Sequence, residues 1–270
     1  MLLNVRHSTL YQFGTPMRFV TQSHRLTPAS SGVQRVIDWK VSAEGAVFGS
    51  SFVDGAGDAV NTMTVQGPVE RIAVLVEGTV ETLDTSGMLK DHRETISPRV
   101  YLQPTRAIEA GRGLVELRDA AIEGVEADRP LERSHRLAAA VADAIAYVPG
   151  ATGPHTTAAE ALEQGEGVCQ DLAHAMIAVA HAAGIPARYV TGYLFTGEEE
   201  GEAAHAWAEL HVGDLGWIGF DAANRCCPDE RYIRLGSGRD ARDAAPIRGV
   251  SRGGASEAMD VSVVVAAAQQ

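Results

Sequence analysis

Cysteine is scarce in this sequence. Cys169, Cys226 and Cys227 are the only three among 270 residues, an odd and sparse set that excludes a disulfide framework of the secreted type and leaves at least one thiol free. No apolar run approaches the roughly eighteen residues of a membrane span. The start, MLLNVRHSTLYQF, is interrupted at once by Arg6, His7 and Ser8, so it has neither the basic leader nor the apolar stretch of a secretory signal. These features predict a cytoplasmic protein with no membrane partner. Positive charge is also short: 23 Lys and Arg face 35 Asp and Glu, a formal net charge of −12. Nucleic-acid affinity rests on clustered Lys and Arg, and no such cluster is present. The acidic run GEEEGEAA at 197–204 lacks the alternating Asp/Asn ligands and fixed glycine of a calcium loop, so it reads as a solvated loop. No metal and no cofactor is expected.

What is present divides in two. Residues 1–105 read as a β-rich domain, because short alternating segments recur between turn signals, as in a sandwich or barrel. LLNVRHSTLYQF puts Leu3, Val5, His7, Thr9, Tyr11 and Phe13 on one side, and VQRVIDWKV puts Val33, Ile37, Trp39 and Val41 on one side. RIAVLVEGTVETL is β-branched enough for a central strand. Pro98 and Pro104 then break the pattern, and 106–270 reads as a second unit with a C-terminal strand. LERSHRLAAAVADAIAYV is helical until Pro149 and Gly150. TTAAEALEQG is a shorter helix with a capping-box candidate in Thr156 or Thr157 and Glu160. A third helix runs from about Val168 to Ala183, closed by Gly184 and Pro186. The strand candidates ARYVTGYLF, AHAWAELHV, GWIGFDAAN and AMDVSVVVAA come after it. Helices ahead of antiparallel strands make the fold class α+β.

Cys169 falls at the start of the third helix, where unsatisfied N–H groups and the dipole's positive end favour negative charge. Followed by Leu172, Met176 and Val179, and taken without a partner, it reads first as a buried small hydrophobe. A nucleophilic role requires a base. His7, His24 and His92 fall in the first domain, His135 and His155 near loops or helix starts, and His181 far down the helix. His174, five residues on, points about 140° away at about 100° per residue. That leaves His205 and His211, on one face of AHAWAELHV with Trp207 and Glu209. A hairpin near 213–215 would bring Asp221 within a rung or two of His205. A carboxylate there fixes the tautomer and holds the imidazolium, the logic of a catalytic triad.

GVCQDLAHAMIAVAHAAGIPARYVTGYL, HAWAEL and GWIGFDAAN resemble the core of the bacterial transglutaminase-like proteins, within the papain-like cysteine superfamily, over about residues 130–235. The first hundred residues resemble the N-terminal region found ahead of that core. The resemblance implies Cys169 as nucleophile, His205 as general base and acid, and Asp221 as the orienting residue. Two departures limit the resemblance. Gln170 stands where animal transglutaminases carry tryptophan, without their calcium signature, which argues against protein cross-linking. Cys226 and Cys227 are adjacent, open to a vicinal disulfide, a resolving thiol or plain packing, and packing is preferred because adjacent cysteines bridge only with strain.

The chemistry expected is acyl transfer on a protein or peptide amide through a thioester. The Cys169 N–H is the first oxyanion candidate and the Gln164 side chain a second, while Trp207 is a candidate for the substrate pocket or for core packing. Hydrolysis is preferred. The alternatives are an amine acceptor, as in a transglutaminase, and a binding protein retaining the triad without turnover. A metal site from Cys169, His205, Asp221 and Cys226 or Cys227 lacks the short ligand spacing of zinc sites.

Overall fold

The computed structural model describes residues 1–197, 203–252 and 256–268, so most of the acidic run read as a solvated loop lies outside the described residues. Four strands come first: β1 (Leu2–Thr27), β2 (Gln34–Ala43), β3 (Ala46–Val53) and β4 (Ala59–Thr82). An irregular stretch with two 3-10 turns leads to α1 (Arg112–Ala121), α2 (Pro130–Ala144), β5 (Ala146–Tyr147), α3 (Ala158–Gln164), β6 (Glu166–Gly167) and α4 (Cys169–Ala182). Four antiparallel strands come next, β7 (Ala187–Leu194), β8 (Ala204–His211), β9 (Trp217–Phe220) and β10 (Tyr232–Gly238), and then β11 (Ile247–Arg252) and β12 (Glu257–Ala267).

The first sheet is built on two long strands. Leu3–Phe13 of β1 pair with β12 on one side and with the second half of β4 on the other. Phe19–His24 pair with β11 and with the first half of β4. One buried cluster draws Tyr11, Phe13, Ile72 and Val74 from one half and Val20, Leu26, Met63 and Val65 from the other, so the sheet folds over its own core. Period-two patterning holds along β1, where Leu3, Val5, His7, Thr9, Tyr11 and Phe13 are all buried. It slips in β2: the register shifts between Val36 and Asp38, a bulge that leaves Ile37 half exposed at 50% while Trp39 and Val41 still pack on the core. The C-terminal strand expected to go with the second unit instead pairs with β1 in the first sheet, as β11 does.

The second sheet has the order β10-β7-β8-β9 and packs against α4. From Asp171 to Ala180 every residue of α4 is buried, because α1, α2 and α3 cover the sides of the helix that the sheet does not. Its alanines allow this close approach. The helix α2 ends at Ala144 rather than at Pro149: Ile145 turns extended and Ala146–Tyr147 pair in parallel with Glu166–Gly167. That two-rung ladder, with Ala146 N–H on Gly165 O and Val148 N–H on Gly167 O, both at 2.8 Å, pins the segment leading into Cys169.

Buried charge joins the two sheets. Glu209 on β8 accepts from Arg188 Nε of β7 at 2.7 Å and from Arg234 Nε of β10 at 2.9 Å. Arg234 reaches on to Asp58, in the turn before β4, and Asp58 also accepts from Ser237 N–H and Oγ–H. Arg188 is bound by Glu94 at 2.6 Å and lies 4.0 Å over the Trp217 ring. Arg188, Asp58, Glu209 and Arg234 are all buried. Burial opposes the Glu209 carboxylate, but the two guanidinium groups outweigh it and hold its carboxyl down at about 2.

Candidate active site

Cys169 is the first residue of α4, partly buried against the helix-side core. Asp171, at the third helical position and fully buried, accepts from Val168 N–H at 2.9 Å and from Thr152 Oγ1–H at 2.5 Å. It fixes the turn from which the thiol projects. Glycine at 167 is required for this, since a Cβ there would meet Asp171 Cβ at 2.8 Å.

The expected hairpin forms, turning through Gly213–Leu215 with Ala208 opposite Phe220. The register sets Asp221 diagonally across from His205, within side-chain reach. The His205 Nε2–H donates to Asp221 Oδ2 at 2.6 Å, with 8% and 1% of the two side chains exposed. Two more donors converge on that oxygen, Asn224 Nδ2 at 2.7 Å and Tyr232 Oη–H at 2.8 Å, while Asn224 N–H donates to Oδ1 at 3.1 Å. Burial opposes ionisation of Asp221, yet His205, Asn224 and Tyr232 keep its carboxyl below the ordinary value. Burial likewise works against a charged His205 ring, but the hydrogen bond to Asp221 and the nearby Cys169 thiol, with the charges on both, push it up to about 9. At the same nitrogen Asn224 Nδ2 lies 3.3 Å away, and Cys169 is near enough to add to the pull on the ring. Among the described residues no group of three or more His, Cys, Asp or Glu side chains is placed to hold a metal ion.

Trp207 is buried behind His205, with ring centroids 6.4 Å apart and planes 25° apart, and meets Tyr232 edge-on at 5.5 Å. Gly192 permits that packing, because a Cβ there would lie 2.7 Å from the Trp207 ring and run into Ile233 O. Gln164 ends α3 with its side chain exposed. His174 is buried, accepts from Ala241 N–H at 3.0 Å, and is pushed down to about 4 by burial. His211 stacks edge-on with Trp217, well along β8 from Asp221. Cys226 and Cys227 are free thiols. Cys226 lies 3.3 Å from Tyr232 Oη and its backbone pairs with Asp221, and burial pushes Cys226 up and Cys227 to about 11.

Sequence reasoning misses Tyr232 and Asn224. Asn224 stands three residues after Asp221, a spacing that suits a side chain closing a turn on an aspartate. Tyr232 reaches Asp221 from β10, a strand two places away from β8 in the sheet, and no local pattern announces that contact.

Residues 118–222 match the Transglutaminase-like superfamily and residues 3–81 the Bacterial transglutaminase-like N-terminal region. An uncharacterized protein of Mycobacterium leprae is 31% identical over 284 residues, covering 97% of this chain and 98% of its own. One of Mycobacterium bovis is 30% identical, with coverages of 91% and 86%. The crystal structure of a proposed cysteine protease from Cytophaga hutchinsonii shares the fold, with a TM-score of 0.76 at 23% identity over 100% of this chain and 92% of that one.

Proposed function

The chain belongs to the transglutaminase-like superfamily, with the bacterial N-terminal region ahead of its core, and from that premise we propose that it is a cysteine-dependent hydrolase of amide bonds in proteins or peptides. Membership supports a cysteine-dependent enzyme in general terms. The observation that carries the finer reading is the imidazole of His205, bonded to Asp221 Oδ2 at 2.6 Å and close enough to Cys169 for the thiol to raise its proton affinity.

In this reading the proton of Cys169 resides on His205, and the sulfur attacks the substrate carbonyl carbon. The oxyanion is met by the backbone N–H of Cys169 at the first turn of α4, where an N–H has no carbonyl four residues back in the helix. As the tetrahedral species collapses the C–N bond breaks, His205 gives its proton to the departing amine, and a thioester remains. Water, deprotonated by His205, adds to the thioester; the C–S bond then breaks and the thiol is restored as the acid leaves. Asp221 holds the ring in one tautomer throughout, and Tyr232 and Asn224 hold Asp221. A reducing compartment such as the cytoplasm belongs to the same reading, since the nucleophile must stay free.

The test is the rate of iodoacetamide alkylation of each cysteine in the native protein against pH, located by peptide mass spectrometry. Cys169 is expected to react rapidly at pH 6.5, ahead of Cys226 and Cys227, and to lose that advantage in His205→Ala. Incubation with short peptide amides should then give products heavier by one water in total, absent with Cys169→Ala. Inertness of Cys169 until the protein unfolds, or unchanged turnover by Cys169→Ala, sinks the proposal.

A further inference from the structure

The segment between β5 and α3 presents one hydroxyl to the helix that carries the nucleophile. Val148 N–H donates to Gly167 O at 2.8 Å, and two tight turns follow. Val148-Pro149-Gly150-Ala151 closes with Ala151 N–H on Val148 O at 3.3 Å and Gly150 at a φ of 78°, the proline and glycine placement of a type II turn. Gly153-Pro154-His155-Thr156 closes with Thr156 N–H on Gly153 O at 3.1 Å, while Thr156 Oγ1 accepts from Gly153 N–H at 3.0 Å. Thr152 stands between the turns, and of residues 149–155 it alone is not exposed. Its hydroxyl donates to Asp171 Oδ2 at 2.5 Å.

That carboxylate oxygen fixes the turn around Cys169. At α3 the residue before the helix, Thr157, gives both its N–H and its hydroxyl to Glu160 Oε2, each at 2.8 Å, within a capping box. At α4 the same two kinds of donor meet on Asp171 Oδ2 but come from different places. The N–H belongs to Val168, at 2.9 Å, and the hydroxyl to Thr152, nineteen residues before Asp171. Val168 has no side-chain oxygen with which to cap the helix. Asp171 is fully buried, and a Cβ at Gly167 would lie 3.0 Å from its Oδ2. A carboxylate so enclosed that loses a donor is not compensated by solvent. Cys169 lies between Val168 and Asp171, inside the turn these bonds close.

We propose that Thr152 is a positioning residue of the reaction: its hydroxyl holds the Asp171 carboxylate, and through it the first turn of α4, in the arrangement that presents the Cys169 thiol to His205. The inference rests on the amide-hydrolase reading and deepens it. Without the hydroxyl, Asp171 Oδ2 keeps one donor. The carboxylate then moves and carries the turn with it, or stays and bears on Cys169 with more of its charge, and both changes disfavour the thiolate.

The experiment reads the rate of Cys169 alkylation by iodoacetamide against pH in variants of the full chain, each checked for folding by circular dichroism. Thr152→Val and Thr152→Ala remove the hydroxyl, the first keeping the shape of the side chain, and Thr152→Ser retains it. Thr156→Val breaks the bond from Gly153 N–H in the same segment without touching Asp171. In both hydroxyl-free variants labelling at pH 6.5 should slow by about tenfold or more and the midpoint of the pH profile should rise, while Thr152→Ser and Thr156→Val stay within about threefold of the parent. Labelling in a folded hydroxyl-free variant as fast as in the parent, or an equal loss in Thr152→Ser or Thr156→Val, overturns the proposal and leaves the nucleophile in place. If Cys169 of the parent is inert to iodoacetamide until the protein unfolds, the hydrolase reading fails and takes this inference with it.

Discussion

Replacing Asp221 by asparagine keeps the shape of the site and removes one charge. The oxygen that now accepts from His205, Asn224 and Tyr232 becomes an NH2 group facing three donors, or the amide flips and surrenders the bond from Asn224 N–H. Burial of His205 is unchanged, so the force that lowers its proton affinity persists while the largest opposing one is lost. At about 1.4 kcal/mol per tenfold change in proton affinity, holding the ring up to about 9 instead of 6.5 is worth about 3 kcal/mol, roughly three hundredfold in the ratio of charged to neutral ring. Because the folded value is raised, this stabilisation is complete below about pH 6.5 and fades as pH rises toward 9. The assay is NMR titration of the His205 ring protons alongside iodoacetamide labelling of Cys169 at pH 7.5. In Asp221→Asn the ring should titrate below 6.5 and labelling at this pH should slow by about tenfold or more, because the charged ring falls from nearly the whole population to about a tenth of it or less. A ring that still titrates near 9, or labelling slowed less than threefold, refutes the assignment of Asp221 as the group that holds the imidazolium.

Tyr232→Phe removes one donor from the Asp221 carboxylate and should cost about 1.5–3 kcal/mol of stability in urea titration, with slower labelling of Cys169 than in the parent. Glu209→Gln weakens the bonds of two buried guanidinium groups and leaves each with one carboxylate, Glu94 for Arg188 and Asp58 for Arg234, so a loss of about 1.5–3 kcal/mol is expected. In the parent the Glu209 contribution should be full above about pH 4.5 and decline as pH falls toward 2; an unchanged urea midpoint in Glu209→Gln would contradict it. Gly167→Ala pushes against Asp171 and should lower stability by about 1–3 kcal/mol while slowing Cys169 labelling, because the turn that presents the thiol must shift.

The site is legible where chemistry and periodicity coincide. A cysteine at a helix start, a histidine on a strand and an aspartate across a short hairpin are local patterns, and the pairing of β8 with β9 sets the last two side by side. The capping box at Thr157 and Glu160 and the inward face of β1 are of the same kind. The features that sequence hides are set by distant contacts. Asp58, Glu94, Arg188, Glu209 and Arg234 are scattered through the chain, and nothing in their neighbourhoods says that they share one buried network. Strand β10, in RYIRLGSG, carries two polar residues, Arg234 and Ser237, that are buried because Asp58 meets them. The slip at Ile37 and the early end of α2 at Ala144 both arise from pairing partners outside the local sequence.

The pairing of β1 with β11 and β12 has a consequence for synthesis. The segment carrying Cys169, His205 and Asp221 is an excursion from a sheet whose opening strand waits for partners made more than two hundred residues later. While the ribosome works through the core, the edge of β1 facing those partners stays bare, and such an edge is a template for association with another chain. Contacts so distant in sequence also slow folding. A fragment beginning near residue 106 would carry β11 and β12 with nothing to pair against, so the catalytic half cannot be cut free at the apparent boundary without stranding its own tail.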